Sequence, residues 1–183
     1  MFVLNNTKEL KPGKSWVDDN GLTHPSNWAT AWSTDEKTAR GIKEVSIQTK
    51  PDDKFYWVDG PALDGTWTST ERSLDDVTKT VDGVSVTTLG LKSQWIIKTK
   101  ETANSLLAPT DWQVVAKAER DRAIDSNVAT YRAAVIAKCT AIRKSITDAS
   151  DLAAFKVLFD TPVDSDGNPT GNPPMYDWPV MGE

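Results

Sequence analysis

The 183-residue chain contains one cysteine and one histidine, and this scarcity excludes more than any motif it carries. A single thiol, Cys139, allows no disulfide within the chain and no thiolate metal site. With His24 alone to supply imidazole, Ser-His-Asp, Cys-His and multi-histidine metal arrangements have almost nothing to work with, so the expectation is a protein without catalysis, cofactor or metal. Basic residues are also short: Lys and Arg number 21 against 26 Asp and Glu, a formal charge of -5. That balance removes the broad cationic surface on which nucleic-acid binding depends. No apolar run reaches 18 residues, and the start, Met1-Phe2-Val3-Leu4-Asn5-Asn6, has neither a basic flank nor a long apolar stretch. The expectation is a chain without signal peptide or membrane span, suited to a reducing cytoplasm.

What is present is an ordinary globular composition, 38% hydrophobic and 26% charged. Charge is uneven along it. Residues 1–90 hold 10 basic and 14 acidic side chains, residues 91–160 hold 11 and 8, and residues 161–183 hold none and 4. The hydrophobic period changes near residue 90 as well. The pattern predicts an α+β protein: a β-rich part over 1–90, a helical part over 91–160 and an irregular tail over 161–183.

In the first part, 43–49, 54–58 and 84–89 are short segments rich in β-branched or aromatic residues. Asn20-Gly21, Asp59-Gly60, Asp64-Gly65 and Asp82-Gly83 supply turns, and Asp82-Gly83 stands where a two-residue hairpin turn belongs. A small antiparallel sandwich or sheet follows. Ser33 and Glu36 form a capping-box pair, and Gly41 can close a helix of about two turns.

From Leu91 the pattern is helical. Pro109 ends the first helix, Thr110 and Gln113 make a second capping box, and Ser126 or Asp125 caps a long third helix. There Val128, Tyr131, Val135, Cys139, Ile142 and Ile146 recur at spacings of 3, 4, 4, 3 and 4. A fourth short helix starts near Asp148 and runs through Leu152, Phe155 and Leu158. The stripe on the third helix looks longer than its short neighbours can cover, which assigns it to an interface between copies of the chain.

Several groups invite chemistry and have a plainer reading. Asp164, Asp166 and Asn168 alternate as in a calcium loop, yet Pro169 replaces the expected glycine and no glutamate closes the site. Cys139 lies on an apolar stripe, where a packed thiol is the ordinary case. The adjacent pairs Asp18-Asp19, Asp52-Asp53 and Asp75-Asp76 point to opposite faces of any strand, so they present no paired carboxylates.

Eight tryptophans carry more content. Five fall in the first 90 residues, and a domain of that size cannot bury them all. Trp16, Trp28, Trp32, Phe55, Tyr56, Trp57 and Trp67 are therefore the candidate contacts to another chain, because indole and phenol rings carry interface energy well.

Certain segments carry a resemblance. His24-Pro25-Ser26-Asn27-Trp28, Ser33-Thr34-Asp35-Glu36, Arg40-Gly41-Ile42 and Phe55-Tyr56-Trp57 form one group. Leu107-Ala108-Pro109-Thr110-Asp111-Trp112, Tyr131-Arg132-Ala133-Ala134-Val135 and Asp177-Trp178-Pro179 form another. Together, over residues 24–179, the chain resembles small tailed-bacteriophage proteins encoded beside tail-fibre genes, the tail-fibre assembly chaperones. The resemblance implies a β-rich N-terminal part that grips the fibre and a helical part that supports assembly. It also implies a trimeric fibre protein as client, a homotrimer or a 3:3 complex, and residence in the host cytoplasm during assembly, with retention on the virion tail as the alternative. The composition suits two other classes: a structural virion component such as a baseplate or fibre-tip subunit, and a glycan-binding module or hydrolase.

Overall fold

The structure, a computed structural model, describes residues 1–182. The chain forms two compact units, Met1–Glu71 and the remainder from Arg72. Helices lie mainly in the C-terminal half and small antiparallel sheets in the N-terminal half, the α+β class that the hydrophobic periods predict.

The first unit holds three small sheets. Strand β1 (Phe2–Leu4) lies between β2 (Lys8–Leu10) and β5 (Ile42–Glu44), antiparallel to both. Strands β3 (Trp16–Val17) and β4 (Thr23–His24) form one ribbon, and β6 (Tyr56–Asp59) and β7 (Thr68–Glu71) another. These strands are two to four residues long and pair as three separate small sheets. Asn5 and Asn6 turn β1 into β2 with φ of 48° and 56°, a left-handed conformation that asparagine tolerates. The expected segment 43–49 is a strand only to Glu44.

Helix α1 (Trp28–Ala31) and helix α2 (Thr34–Ala39) connect β4 to β5. The capping box at α2 is complete: Glu36 N–H donates to Ser33 Oγ at 3.2 Å, and Ser33 N–H donates to Glu36 Oε2 at 2.7 Å. Gly41 follows with φ of +74°, and a side chain there would meet Asn5 Oδ1 at 2.0 Å. The positive φ of the turn after α2 thus favours glycine, and any larger residue would also displace the Asn5 side chain. The core of this unit is Leu4, Leu10, Trp16, Trp28 and Ile42, with Phe2, Ala29 and Trp32 packed against it.

The second unit begins before the helices. The hairpin of β8 (Val77–Val81) and β9 (Val84–Thr88) turns on Asp82 and Gly83, whose φ values of 51° and 80° are those of a two-residue primed turn. Leu91 N–H donates to Ser73 O, and Gly90 N–H to Asp76 Oδ1, tying the hairpin base to the first helix. The unit boundary consequently lies at 71/72, not near residue 90 where the hydrophobic period changes.

Helix α3 (Leu91–Leu107) runs into a 3-10 turn (Ala108–Thr110) at Pro109, followed by α4 (Asp111–Arg120), α5 (Ser126–Asp148) and α6 (Leu152–Val157). Helices α3 and α5 pack along their length, with Ala103, Tyr131 and Val135 at the centre. The capping box expected at Thr110 and Gln113 does not form. Thr110 Oγ1 donates to Leu107 O, while the Gln113 amide pairs with Asp125, donating to Oδ2 at 2.8 Å and accepting from its N–H at 2.9 Å. Helix α6 is capped by Asp151 rather than Asp148.

Residues from 161 onward hold no helix or named strand among those described, yet they are anchored. Met175 is buried and its N–H donates to Leu158 O, Asp177 pairs with Lys138, and Trp178 packs on the α3–α5 core.

Candidate interaction surfaces

The seven aromatic residues proposed as contacts separate into three groups. Trp16, Trp28 and Phe55 are buried and belong to the core, which corrects the expectation that they face a partner. Trp28 can be buried whole because its indole N–H donates to Lys14 O at 3.0 Å. Trp32, Tyr56 and Trp67 are half-buried. Trp32 carries the Arg40 guanidinium 4.3 Å above its ring, and the Trp67 indole N–H donates to Gln48 O. Of the seven, Trp57 on β6 is the most exposed, at 64%. It shares a face with Thr70, its register partner on β7.

The α5 stripe is internal. Val128, Tyr131, Val135, Ile142 and Ile146 are buried within the single chain, and Cys139 is half-buried. The cover that α3 and α6 could not supply alone comes from the tail, through Met175 and Trp178. Packing within the single chain thus takes up most of these six side chains, which corrects the expectation that the stripe is left over for an interface between copies.

His24 is a structural group. Its Nε2 lies 3.1 Å from Asp18 Oδ2, and its ring stacks 4.2 Å from Trp16 with Trp32 edge-on. Asp18 Oδ1 also accepts from the N–H groups of Asn20 and Leu22, so the carboxylate closes the β3–β4 turn. The backbone N–H of Leu22 is the main reason that its carboxyl is held below the ordinary range; burial opposes this, and His24 and Asn20 assist it. The Asp164 carboxylate is engaged in the same way. It accepts from the N–H groups of Asp166 and Asn168 and from the Asn168 amide, chiefly the Asn168 N–H lowers its pKa, and these bonds shape a turn. Among the described residues no cluster of three or more His, Cys, Asp or Glu is placed to hold a metal ion.

Two of the segments that carry the resemblance meet in space. Arg132 Nη1 lies 3.0 Å from Leu107 O, 2.7 Å from Thr110 Oγ1 and 2.8 Å from Asp111 Oδ1. The guanidinium thereby sits at the C-terminal end of α3, where a positive charge is favoured, and clamps the turn into α4.

Apolar surface is left exposed on elements that add little to either core. Trp112 is 52% exposed on α4 with Arg122 over its ring, Val115 lies beside it, and Gln113 is the one buried residue of that helix. On the hairpin, Val77, Val81, Val84 and Val86 are between 38% and 63% exposed. These valines were legible as a set: a two-residue turn fixes the register, and alternate positions on the two strands then share a face. Neither they nor Trp112 figured among the residues singled out from the sequence for contact.

No family model matches the chain, and neither a curated protein nor a solved structure matches it.

Proposed function

We propose that this protein is an assembly chaperone for a trimeric bacteriophage tail fibre, binding the fibre chain while it folds and assembles. The resemblance in the sequence motivates the reading. The structural observation that supports it is the division of apolar groups: each unit has its own core, while Trp57, Trp112 and the hairpin valines are exposed outside it. Exposed apolar side chains of this kind suit transient binding of another chain's apolar surface. Such binding requires no nucleophile, base, cofactor or metal. The threefold element of the reading does not need the α5 stripe, since three copies can each engage one chain of a fibre trimer and gain effective concentration through it.

The test is co-expression with the gene product encoded beside it. Soluble fibre should increase with the wild-type protein, and Trp57→Ala should reduce that yield several-fold while circular dichroism shows the fold retained. Fibre that stays insoluble with the wild-type chain present would refute the reading. Presence of the chain in purified mature particles, with no effect on fibre solubility, would favour a structural virion component instead.

A further inference from the structure

We infer that the β8–β9 hairpin is a docking face for an apolar segment of another protein that carries a carboxylate, and that Lys79 selects for that carboxylate. This rests on the reading of the chain as a factor that binds another protein, and the experiment below separates the two.

The register of the hairpin pairs Val77 with Thr88, Lys79 with Val86 and Val81 with Val84. Directly opposed residues in an antiparallel pair project to the same side. One face therefore carries Val77, Lys79, Val81, Val84, Val86 and Thr88, and the other carries Thr78, Thr80, Ser85 and Thr87, with Thr78 and Thr87 joined by a 2.8 Å hydrogen bond between hydroxyls. Side-chain polarity is thus sorted by face as in a sheet with one side covered, yet every residue of both strands is exposed. The hairpin has no third strand, and a two-stranded ribbon alone is marginal in water.

Lys79 decides what can cover the valines. It occupies the middle pair of the ladder, inside the apolar face, and among the described residues it makes no ion pair. A covering chain takes Lys79 out of water along with its neighbours, and an ammonium without a counter-charge resists that strongly. The same face of a second copy cannot supply the counter-charge, because it holds no Asp or Glu. Stacked about a twofold axis, it would place Lys79 over Lys79 or over Val86. Size points the same way. Five residues by two strands measure roughly 17 Å by 10 Å, about 170 Å² per side against the ~800 Å² of a stable partner interface. The occupant is accordingly a different protein segment, aliphatic with one acidic side chain near its centre, held as one part of a larger or short-lived contact.

The probes are two fluorescein-labelled peptides flanked by Gly-Ser, one with the centre Val-Thr-Val-Asp-Val-Thr-Val and one with lysine in place of aspartate. Binding to the full chain is read by anisotropy. The acidic peptide should bind at least tenfold more tightly than the lysine peptide, and Lys79→Glu should invert the order. Val81→Thr with Val84→Thr, which keeps β-branched residues in the hairpin, should weaken both while circular dichroism is unchanged. Equal affinities, absence of binding to either peptide, or an order that Lys79→Glu leaves intact would overturn the proposal. So would a sedimenting dimer that the valine pair dissociates, since a second copy would then be the occupant. If the peptide order holds but fibre stays insoluble on co-expression, the docking face stands and the chaperone reading falls. If Lys79→Glu rescues fibre as well as the wild type and the peptides are not ranked, the reverse is true.

Discussion

Trp16 and Trp28 show how differently two buried indoles of one core can be placed. Trp28 is fully buried with its N–H bonded to Lys14 O, whereas Trp16 Nε1 is buried with no hydrogen-bond partner. Replacing Trp28 by Phe removes apolar contact and leaves the Lys14 carbonyl short of a donor, which should cost on the order of 2 kcal/mol. Trp16→Phe loses similar area but also removes an orphaned donor, so its net effect should stay within about 1 kcal/mol. Urea unfolding of the two variants checks the contrast; a larger loss at Trp16 would mean that its indole N–H is satisfied in solution. Acid provides a second check at this scale. The Asp18 carboxyl is lowered in the folded chain, by Leu22 N–H first, and Glu36 and Asp64 are lowered by their bonds to Ser33 and Thr66. A group lowered on folding stabilises the fold above its unfolded value, about 4, and that contribution disappears as pH falls through the lower folded value. Melting temperature should therefore drop between pH 4 and pH 2, and Asp18→Asn should flatten part of that drop. An identical acid profile in the variant would show that the β3–β4 turn does not feel the charge.

At the scale of elements, α5 is the segment whose existence was clearest from sequence and whose role was not. Its apolar period fixes a buried face, but a period says nothing about which chain does the burying. The tail that supplies Met175 and Trp178 has no periodic pattern, so its contribution to the core left no local sign. Ile142→Glu should therefore unfold the helical unit, with loss of the 222 nm signal, instead of releasing folded subunits from an assembly. A folded variant of smaller sedimentation coefficient would restore the interface reading. The same contrast between local and distant partners explains the two capping boxes. Ser33 and Glu36 satisfy each other within one turn and were readable as such, while Gln113 is drawn to Asp125, twelve residues away, because that loop presents both a donor and an acceptor. The β8–β9 hairpin was readable because Asp82-Gly83 states its turn type. The two- to four-residue strands β1 to β4 and β7 were not, since so few residues show no alternation.

For the whole molecule, the α+β class follows from the change of hydrophobic period, but the division into units does not. The hairpin reads as β and so groups with the β-rich part by composition; its base is hydrogen-bonded to the first turn of α3, and this places it with the helices. Burial of individual tryptophans was likewise beyond the sequence, because it depends on whether a carbonyl from a distant segment, such as Lys14 O for Trp28 or Gln48 O for Trp67, reaches the indole N–H. The candidate surface legible in the sequence thus shrinks to Trp57, with Trp32, Tyr56 and Trp67 half-buried, and grows by the hairpin and Trp112, which lie in the other unit.

The anchoring of Met175, Asp177 and Trp178 over α3 and α5 has a consequence in time. Both helices leave the ribosome before the residues that seal them, so during synthesis Val135 and Ile142 have a partner helix but no lid. Translation order thereby delays closure of this unit until its last turn-rich stretch has emerged. Nascent chains stalled with Trp178 still inside the exit tunnel should be cut by protease within α5, and chains stalled far enough beyond it should resist. Protection that sets in once α5 and α6 alone are outside would mean that the helices close without the tail.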